Sequence, residues 1–451
     1  MMQPTDPNLA RPTGEAAAPA TPPSEPPAPT FDEAVATFTR IGLLSFGGPA
    51  GQIALMHRVL VDEKRWLDEK RYLNALNFCM LLPGPEAMQL ATYAGWRLHG
   101  IKGGLMAGLL FVMPGALLIL ALSLAYGLWG QVPAMATLFL GIKAAVLAIV
   151  VEALLRIARR SLKGAADWAI GAAAFIAIFF FATPFPMIVA AALLVGYLRA
   201  DTSVSEEASA AIPSVSPGST VATVALWLLI WILPLLALSV LAPRVFTDLA
   251  WFFSKMAMVT FGGAYAVLAY VAQDAVTLYR WLAPGEMLDG LGLAETTPGP
   301  LILVNAFVGT LAAMRAPGEL SIASGILGWA VTLWATFAPC FLWIFAGAPY
   351  IERLAAEPRL KSALAAVTAA VTGVILNLTV WFALNVLFAR VGTVNIGPLR
   401  ILAPDGASLS LPALALTIVA FVMLFALHRG IMTTLAVCGA LALAGRALAI
   451  V

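Results

Sequence analysis

The sequence predicts an all-α polytopic membrane protein: two inverted-topology repeats whose broken or re-entrant helices meet near the midplane. Three observations carry that prediction. Of the 451 residues, 61% are hydrophobic and 11% charged, against roughly 45–50% apolar and about 25% charged in an ordinary soluble domain. Apolar runs such as 104–126, 221–241 and 411–427 have the length of about 20 residues that crosses a bilayer. Finally, Phe46-Gly47-Gly48, Trp66-Leu67 and Pro83-Gly84-Pro85 recur as Phe261-Gly262-Gly263, Trp281-Leu282 and Pro298-Gly299-Pro300, all three at one constant separation along the chain. The register holds without a gap for Phe38, Arg40 and Ser45 against Phe253, Lys255 and Thr260.

The long Leu/Ala/Val/Ile runs lack the alternation of a membrane β-barrel. Cys79, Cys340 and Cys438 are odd in number and widely spaced, so they form neither a disulfide framework nor a Cys-x-x-Cys site. His57, His99 and His428 cannot share one helix face as metal ligands, and no cofactor or metal is expected. A formal charge of +2 with no basic stripe outside short loops gives no reason to expect nucleic acid as a partner.

Residues 1–30 hold nine prolines and no apolar run, which predicts a disordered tail and not a signal peptide. The first membrane repeat then occupies 31–198. It opens with two interrupted segments, about 31–56 and 78–96, joined by a charged stretch whose part 61–77 suits an amphipathic surface helix. Spans follow near 103–127, 132–155, 165–182 and 184–198. Residues 199–220 are a Ser- and Ala-rich linker, and 221–242 an additional span. The second repeat fills 243–451, with interrupted segments near 246–271 and 291–312 and spans near 320–346, 361–389, 411–427 and 431–450.

Four spans plus the additional one put an odd number of crossings between equivalent points, so the second repeat is inverted. Arg156, Arg159, Arg160 and Lys163 crowd one short loop, while the loops near 128–131 and 183 carry no charge. Excess Lys and Arg marks cytoplasmic loops, and this places 156–163 and 97–102 inside. The basic stretch 57–77 is also inside only if both interrupted segments dip in and return. Full crossing by both is the alternative. Either way the N-terminal tail is cytoplasmic and the C-terminus lies on the opposite face.

Breaks inside apolar segments expose backbone that lipid cannot satisfy, so they survive only within protein or around a wet cavity. Gly47-Gly48-Pro49, Pro83-Gly84-Pro85, Gly262-Gly263 and Pro298-Gly299-Pro300 therefore mark one interior. Proline suits a first helical turn, so each Pro-Gly-Pro should start a half-helix whose free N–H groups and positive dipole end favour an anion. This is the plan of a secondary transporter whose site lies where repeats meet. Arg40 and Lys255, each just before a Gly-Gly break, are candidates to face the anion, with snorkelling to the interface as the alternative. Ser45, Thr260, Thr296 and Thr297 offer hydroxyl donors or serve as small packing residues. Glu295 and Glu86 are candidates for a coupling proton, although Glu86 also suits an ordinary helix N-terminus. Lys143, central in its span, is a candidate cavity-lining residue.

The run Ile41-Gly42-Leu43-Leu44-Ser45-Phe46-Gly47-Gly48-Pro49-Ala50-Gly51-Gln52, followed by Leu82-Pro83-Gly84-Pro85-Glu86-Ala87, resembles the chromate ion transporter family in its long two-domain form. Glu295-Thr296-Thr297-Pro298-Gly299-Pro300 resembles that family's second-half counterpart. The resemblance covers nearly all of 31–450 and brings Gln52 among the site candidates. It implies proton-gradient-driven export of chromate across the bacterial inner membrane, with a periplasmic C-terminus, chromate resistance, and sulfate as the competing ion. Protons and the lipid bilayer are then the other partners, and a homodimer is the candidate assembly. One departure is Ala264, where the first repeat has Pro49. Sulfate or other oxyanion uptake or exchange is the rival transport reading. A membrane-embedded enzyme is disfavoured because His-Glu-x-x-His, Gly-x-Gly-Asp and Gly-x-Ser-x-Gly are all missing from the sequence.

Overall fold

A computed structural model of the chain describes residues 29–130, 132–200, 217–261, 264–316, 320–351 and 357–448. Nearly all of the tail expected at 1–30, residues 201–216 of the linker, and Gly262 and Gly263 lie outside the described residues.

Helix α1 (Phe31–Leu44) starts where the Thr30 hydroxyl accepts the Glu33 N–H, a side-chain cap for an otherwise orphaned donor. It ends at the first break, where Gly47 and Gly48 take left-handed φ values of 86° and 69° that L side chains avoid. α2 (Gly48–His57) runs on into a π turn, Arg58–Glu63. The Lys64 ammonium lies 2.8 Å from the Glu33 carboxylate, so the chain has turned back and the segment's two ends sit together. α3 (Glu69–Leu81), capped by Asp68, runs inward to Pro83-Gly84-Pro85. Residues 61–77 are therefore not one surface helix: the charged turn at Glu69–Arg71 opens a helix whose later turns bury Tyr72, Ala75, Phe78 and Cys79.

α4 (Glu86–Trp129) begins directly after the Pro-Gly-Pro and folds back at His99 and Gly100. The His99 ring is 5.5 Å from that of Phe31, so the second interrupted pair also returns to the end from which α1 started. The two arms of α4 touch through Gly95 and Gly103, where a β-carbon on either would stand 2.2–2.3 Å from the other's carbonyl oxygen. Gly100, at φ 61° and ψ −151°, occupies a region open essentially to glycine alone, and other residues there cost of order 1–3 kcal/mol. A β-carbon at Gly100 would meet nothing within 4 Å, so Gly100→Ala should lower the thermal unfolding midpoint through backbone strain while leaving the packing intact.

α5 (Pro133–Ser161), α6 (Ala165–Phe181) and α7 (Phe185–Leu198) complete the first half, and α8 (Pro217–Leu241) precedes the second. The second half repeats the plan with α9 (Arg244–Val259), α10 (Ala264–Gln273) with its π turn Asp274–Leu278, and α11 (Pro284–Thr296). A 3-10 turn, Leu301–Leu303, then leads into α12 (Val304–Arg315). Arg315 closes back on Glu286 at 2.9 Å. The correspondence reaches the backbone: Arg65 and Arg280, which stand at equivalent positions of the two repeats, have φ 53° and 54°. Likewise the Trp66 N–H donates to the Leu60 carbonyl and the Trp281 N–H to the Ala275 carbonyl, both at 2.8 Å.

α13 (Ile322–Gly347) and α14 (Pro358–Leu387) correspond to the second arm of α4 and to α5, since Pro339 follows Pro114 by the same interval at which Pro358 follows Pro133. The second arm of α4 and α13 run antiparallel: Gly104 faces Phe345, Gly108 faces Phe341, and the Trp329 indole donates to the Ala116 carbonyl at 2.9 Å. Among the described residues, α4, α5, α8, α13 and α14 are long and apolar enough to cross a membrane, and the expected all-α polytopic class holds. One element was not foreseen. After α14 comes an antiparallel hairpin, β1 (Val391–Ile396) and β2 (Leu399–Pro404), turning at Gly397 with φ 58°. α15 (Leu411–Phe421) and α16 (Ile431–Ala447) then pack on α5, as α6 and α7 pack on α14.

Candidate functional site

The two Pro-Gly-Pro turns each join one half to the other. The Gly84 N–H donates to the Thr260 carbonyl at 2.9 Å, and the Gly299 N–H to the Ser45 carbonyl at 2.8 Å. Each bond joins a Pro-Gly-Pro turn of one half to the end of the broken helix in the other, at equivalent positions. Gly84 and Gly299 can offer those N–H groups because they sit at φ 120° and 92°. Gln52, 1% exposed, adds a third link by donating to the Gly299 carbonyl at 2.6 Å. Gln89 caps the Pro83 carbonyl at 2.8 Å, supporting the first turn from within α4.

The hydroxyls expected to face a ligand are engaged locally. Ser45 bonds to the Ile41 carbonyl, Thr260 to Met256, Thr296 to Leu293 and Thr297 to Ala294. Each satisfies a helix-terminal carbonyl that would otherwise be unpaired.

Beside the first pair of breaks lies a cavity of about 400 Å³. Pro49, Ala50 and Ile53 of α2 form one wall, and Met80, Gly84 and Glu86 of the Pro-Gly-Pro region the next. α5 contributes Arg156, Arg160 and Ser161, with Lys163 just beyond its end, and Ala365 and Thr368 of α14 close the far side. Asp167 and Tyr265 complete the lining. Arg156 pairs with Glu152 on its own helix, and Asp167 accepts the Lys163 and Gly164 N–H groups as the cap of α6. Among the described residues, the Arg160 guanidinium has only the Met80 sulfur, at 3.4 Å, within bonding distance. Arg156, Arg160 and Lys163 thus share the chamber with the Glu86 and Asp167 carboxyl groups, and the unpaired Arg160 beside the helix N-terminus at Glu86 is the part of the lining that attracts an anion.

Glu295, 3% exposed, stands one residue behind the wall, where its carboxylate accepts the Tyr265 hydroxyl at 2.8 Å. Glu86 lines the chamber itself. Pro49 and Gly84 line it, whereas Pro298 and Gly299 pack against α4, the Pro298 carbonyl lying over Gly115. The structure separates three other candidates from this place. Arg40 is 54% exposed and paired to Glu63 at 3.0 Å; Lys255 is exposed on α9. Lys143 faces away, paired at 3.1 Å to Asp289, whose carboxylate also accepts the Tyr126 hydroxyl at 2.7 Å.

Sequence reasoning used Arg156, Arg160 and Lys163 only to orient the chain and did not weigh Tyr265 or Gln89. The signal available for the cations was their helical spacing of four at 156 and 160, which puts both on one face of α5.

A polytopic helical protein whose broken helices frame a basic chamber belongs to the class of membrane transporters. The chromate transporter family model matches residues 33–197 and 247–445, and the chain belongs to that family. It is 32% identical to the chromate transport protein of Pseudomonas aeruginosa, covering 82% of this chain and 85% of that protein. It is 31% identical to the chromate transport protein of Cupriavidus metallidurans (77% and 82% covered) and 28% identical to the probable chromate transport protein of Synechococcus elongatus (77% and 84% covered). No solved structure matches the chain.

Proposed function

We propose that the protein exports chromate from the bacterial cytoplasm across the inner membrane, driven by the proton gradient, and so confers chromate resistance. The observation that carries this reading is the chamber holding Arg156, Arg160 and Lys163 beside the Pro49 and Gly84 breaks. A doubly charged tetrahedral oxyanion is compact and carries four acceptor oxygens, which guanidinium and ammonium donors and helix N–H groups satisfy together. The chamber lies at the end where the basic residues concentrate, which the positive-inside rule assigns to the cytoplasm. Chromate entering from the cytoplasm would then meet the two arginines first and the breaks beyond them.

The two halves are read as inverted-topology repeats, supported by the antiparallel packing of α13 on its counterpart arm of α4. The interrupted segments are read as re-entrant, the first pair from the cytoplasmic face and the second from the periplasmic face, with the N-terminus inside and the C-terminus periplasmic. Interfaces that join equivalent turns reciprocally can be rearranged by rocking one half against the other.

Glu295 is assigned the coupling proton, because Tyr265 links it to the chamber wall and burial leaves it no other side-chain partner among the described hydrogen bonds. Glu295→Gln should still exchange chromate across vesicles but lose the several-fold stimulation by an imposed pH gradient. Inverted vesicles loaded by labelled chromate, with labelled sulfate as the parallel arm, test the whole reading. Accumulation of chromate dependent on acidification of the lumen supports it; accumulation of sulfate alone, or none of either, overturns it.

A further inference from the structure

We infer that a second oxyanion station lies at the opposite end of the molecule, narrow in this structure, with Arg400 as its cation and the β-hairpin as its cover. The inference rests on the export reading above but uses different residues. A pocket of about 50 Å³ lies between α6, α10, α14 and β2. Its α14 wall is Asn377, Leu378 and Trp381. Leu378 and Trp381 follow Ala153 and Arg156 of the large chamber by the same interval that relates Pro358 to Pro133. α10, which supplies Gln273, is likewise the counterpart of α2, which lines the large chamber. The small pocket therefore lies against the counterparts of two helices that wall the large chamber, although it takes other positions on α10 and no residue of the second Pro-Gly-Pro turn.

Equivalence by place does not extend to charge. Where α5 presents Arg156, α14 presents Trp381, and a cation enters instead from β2. Arg400 is half-buried in the pocket wall and has no carboxylate partner among the described salt bridges. Gln273 and Asn377 add amide donors, so the set can bind an oxyanion without binding it strongly. With one cation and no helix N-terminus in its lining, against the two arginines and the Glu86 helix end of the large chamber, the pocket suits a release station, since an exporter must hold its ion less firmly on the side where it leaves. The hairpin is anchored at its base, by Arg390 to Asp405 at 2.7 Å and by the pairing of Phe388 with Leu409. The turn at Gly397 is exposed. Such a strap can lift from its base as the pocket widens, carrying Arg400 and Leu402, which line the pocket from β2.

The test uses the full chain in vesicles. Arg400→Gln should slow chromate accumulation in inverted vesicles at least tenfold while equilibrium binding of labelled chromate, governed by the large chamber, stays within twofold of the parent protein. Arg400→Lys should recover most of the rate. In right-side-out vesicles, Gln273→Cys should react with an impermeant maleimide several-fold faster during chromate turnover than at rest. Unchanged transport in Arg400→Gln, or binding lost in step with transport, overturns the inference. Should Arg400→Gln fail to accumulate, the Gln273→Cys experiment decides, and labelling indifferent to turnover overturns it. Absence of chromate transport by the unaltered protein would instead remove the export reading, and this inference with it.

Discussion

Arg160→Gln is expected to raise the chromate concentration for half-maximal transport tenfold or more, at normal membrane abundance, whereas Arg159→Gln should leave it unchanged. The two arginines are neighbours on α5, but only Arg160 lines the chamber. Among the described residues its guanidinium forms no salt bridge and touches only the Met80 sulfur, so its donors are available to a ligand in the chamber that it shares with the Glu86 carboxyl. A charge-assisted hydrogen bond contributes about 1.5–3 kcal/mol, and about 1.4 kcal/mol is a factor of ten. The open mouth of the chamber screens the interaction, which places the expected loss toward the lower end. Arg156 is a less clean probe, because its removal also leaves Glu152 without its partner. Transport assayed over a range of chromate concentrations checks the prediction, and equal behaviour of the two variants would remove Arg160 from the site.

The part of the fold legible in sequence was the part written in local chemistry. Gly47-Gly48 and the two Pro-Gly-Pro turns state their own conformations, and a separation repeated three times identifies the duplication. Apolar run length locates α4, α5, α8, α13 and α14, whereas the runs expected to span near 165–182, 184–198, 411–427 and 431–450 form shorter helices. The role of charge was less legible, because a cation one turn from a helix end satisfies both a topology rule and a binding role. Arg40 shows the consequence. Its place before a Gly-Gly break singled it out, yet the chain returns on itself and presents Glu63 to it, a contact between separate helical segments that no local pattern encodes. Lys143 was similarly claimed by Asp289, from the other half. The hydroxyls at Ser45 and Thr260 bond within their own helices, and the groups that cross between halves are the backbone carbonyls of those same residues, which every residue type carries. The hairpin 391–404 was invisible for a related reason: two short strands between long spans leave too little apolar pattern to distinguish them from a connecting loop.

Gly115→Ala should be the most damaging single-methyl change in the chain's centre, reducing the folded protein recovered from membranes several-fold and abolishing transport by what remains. A β-carbon at Gly115 would stand 1.9 Å from the Pro298 carbonyl oxygen and 2.8 Å from a Leu303 methyl. The leucine can turn aside, but the carbonyl belongs to the second Pro-Gly-Pro turn. That turn is fixed by the bond from the Gly299 N–H to the Ser45 carbonyl and by Gln52 on the Gly299 carbonyl. Overpacking in a well-filled interior costs typically about 1–3 kcal/mol, and here any relief requires moving backbone that joins the two halves. The strain would also propagate to Gly84 and Thr260 if the halves pivot as a unit, since their bond is the reciprocal one. Gly127→Ala provides the comparison, because its β-carbon would meet the flexible Met314 side chain, with the sulfur at 2.7 Å, and a methionine readjusts at small cost. Thermal unfolding of both purified variants measures the difference. A midpoint for Gly115→Ala no lower than that of Gly127→Ala would mean that the Pro298 turn yields easily and does not hold the halves together.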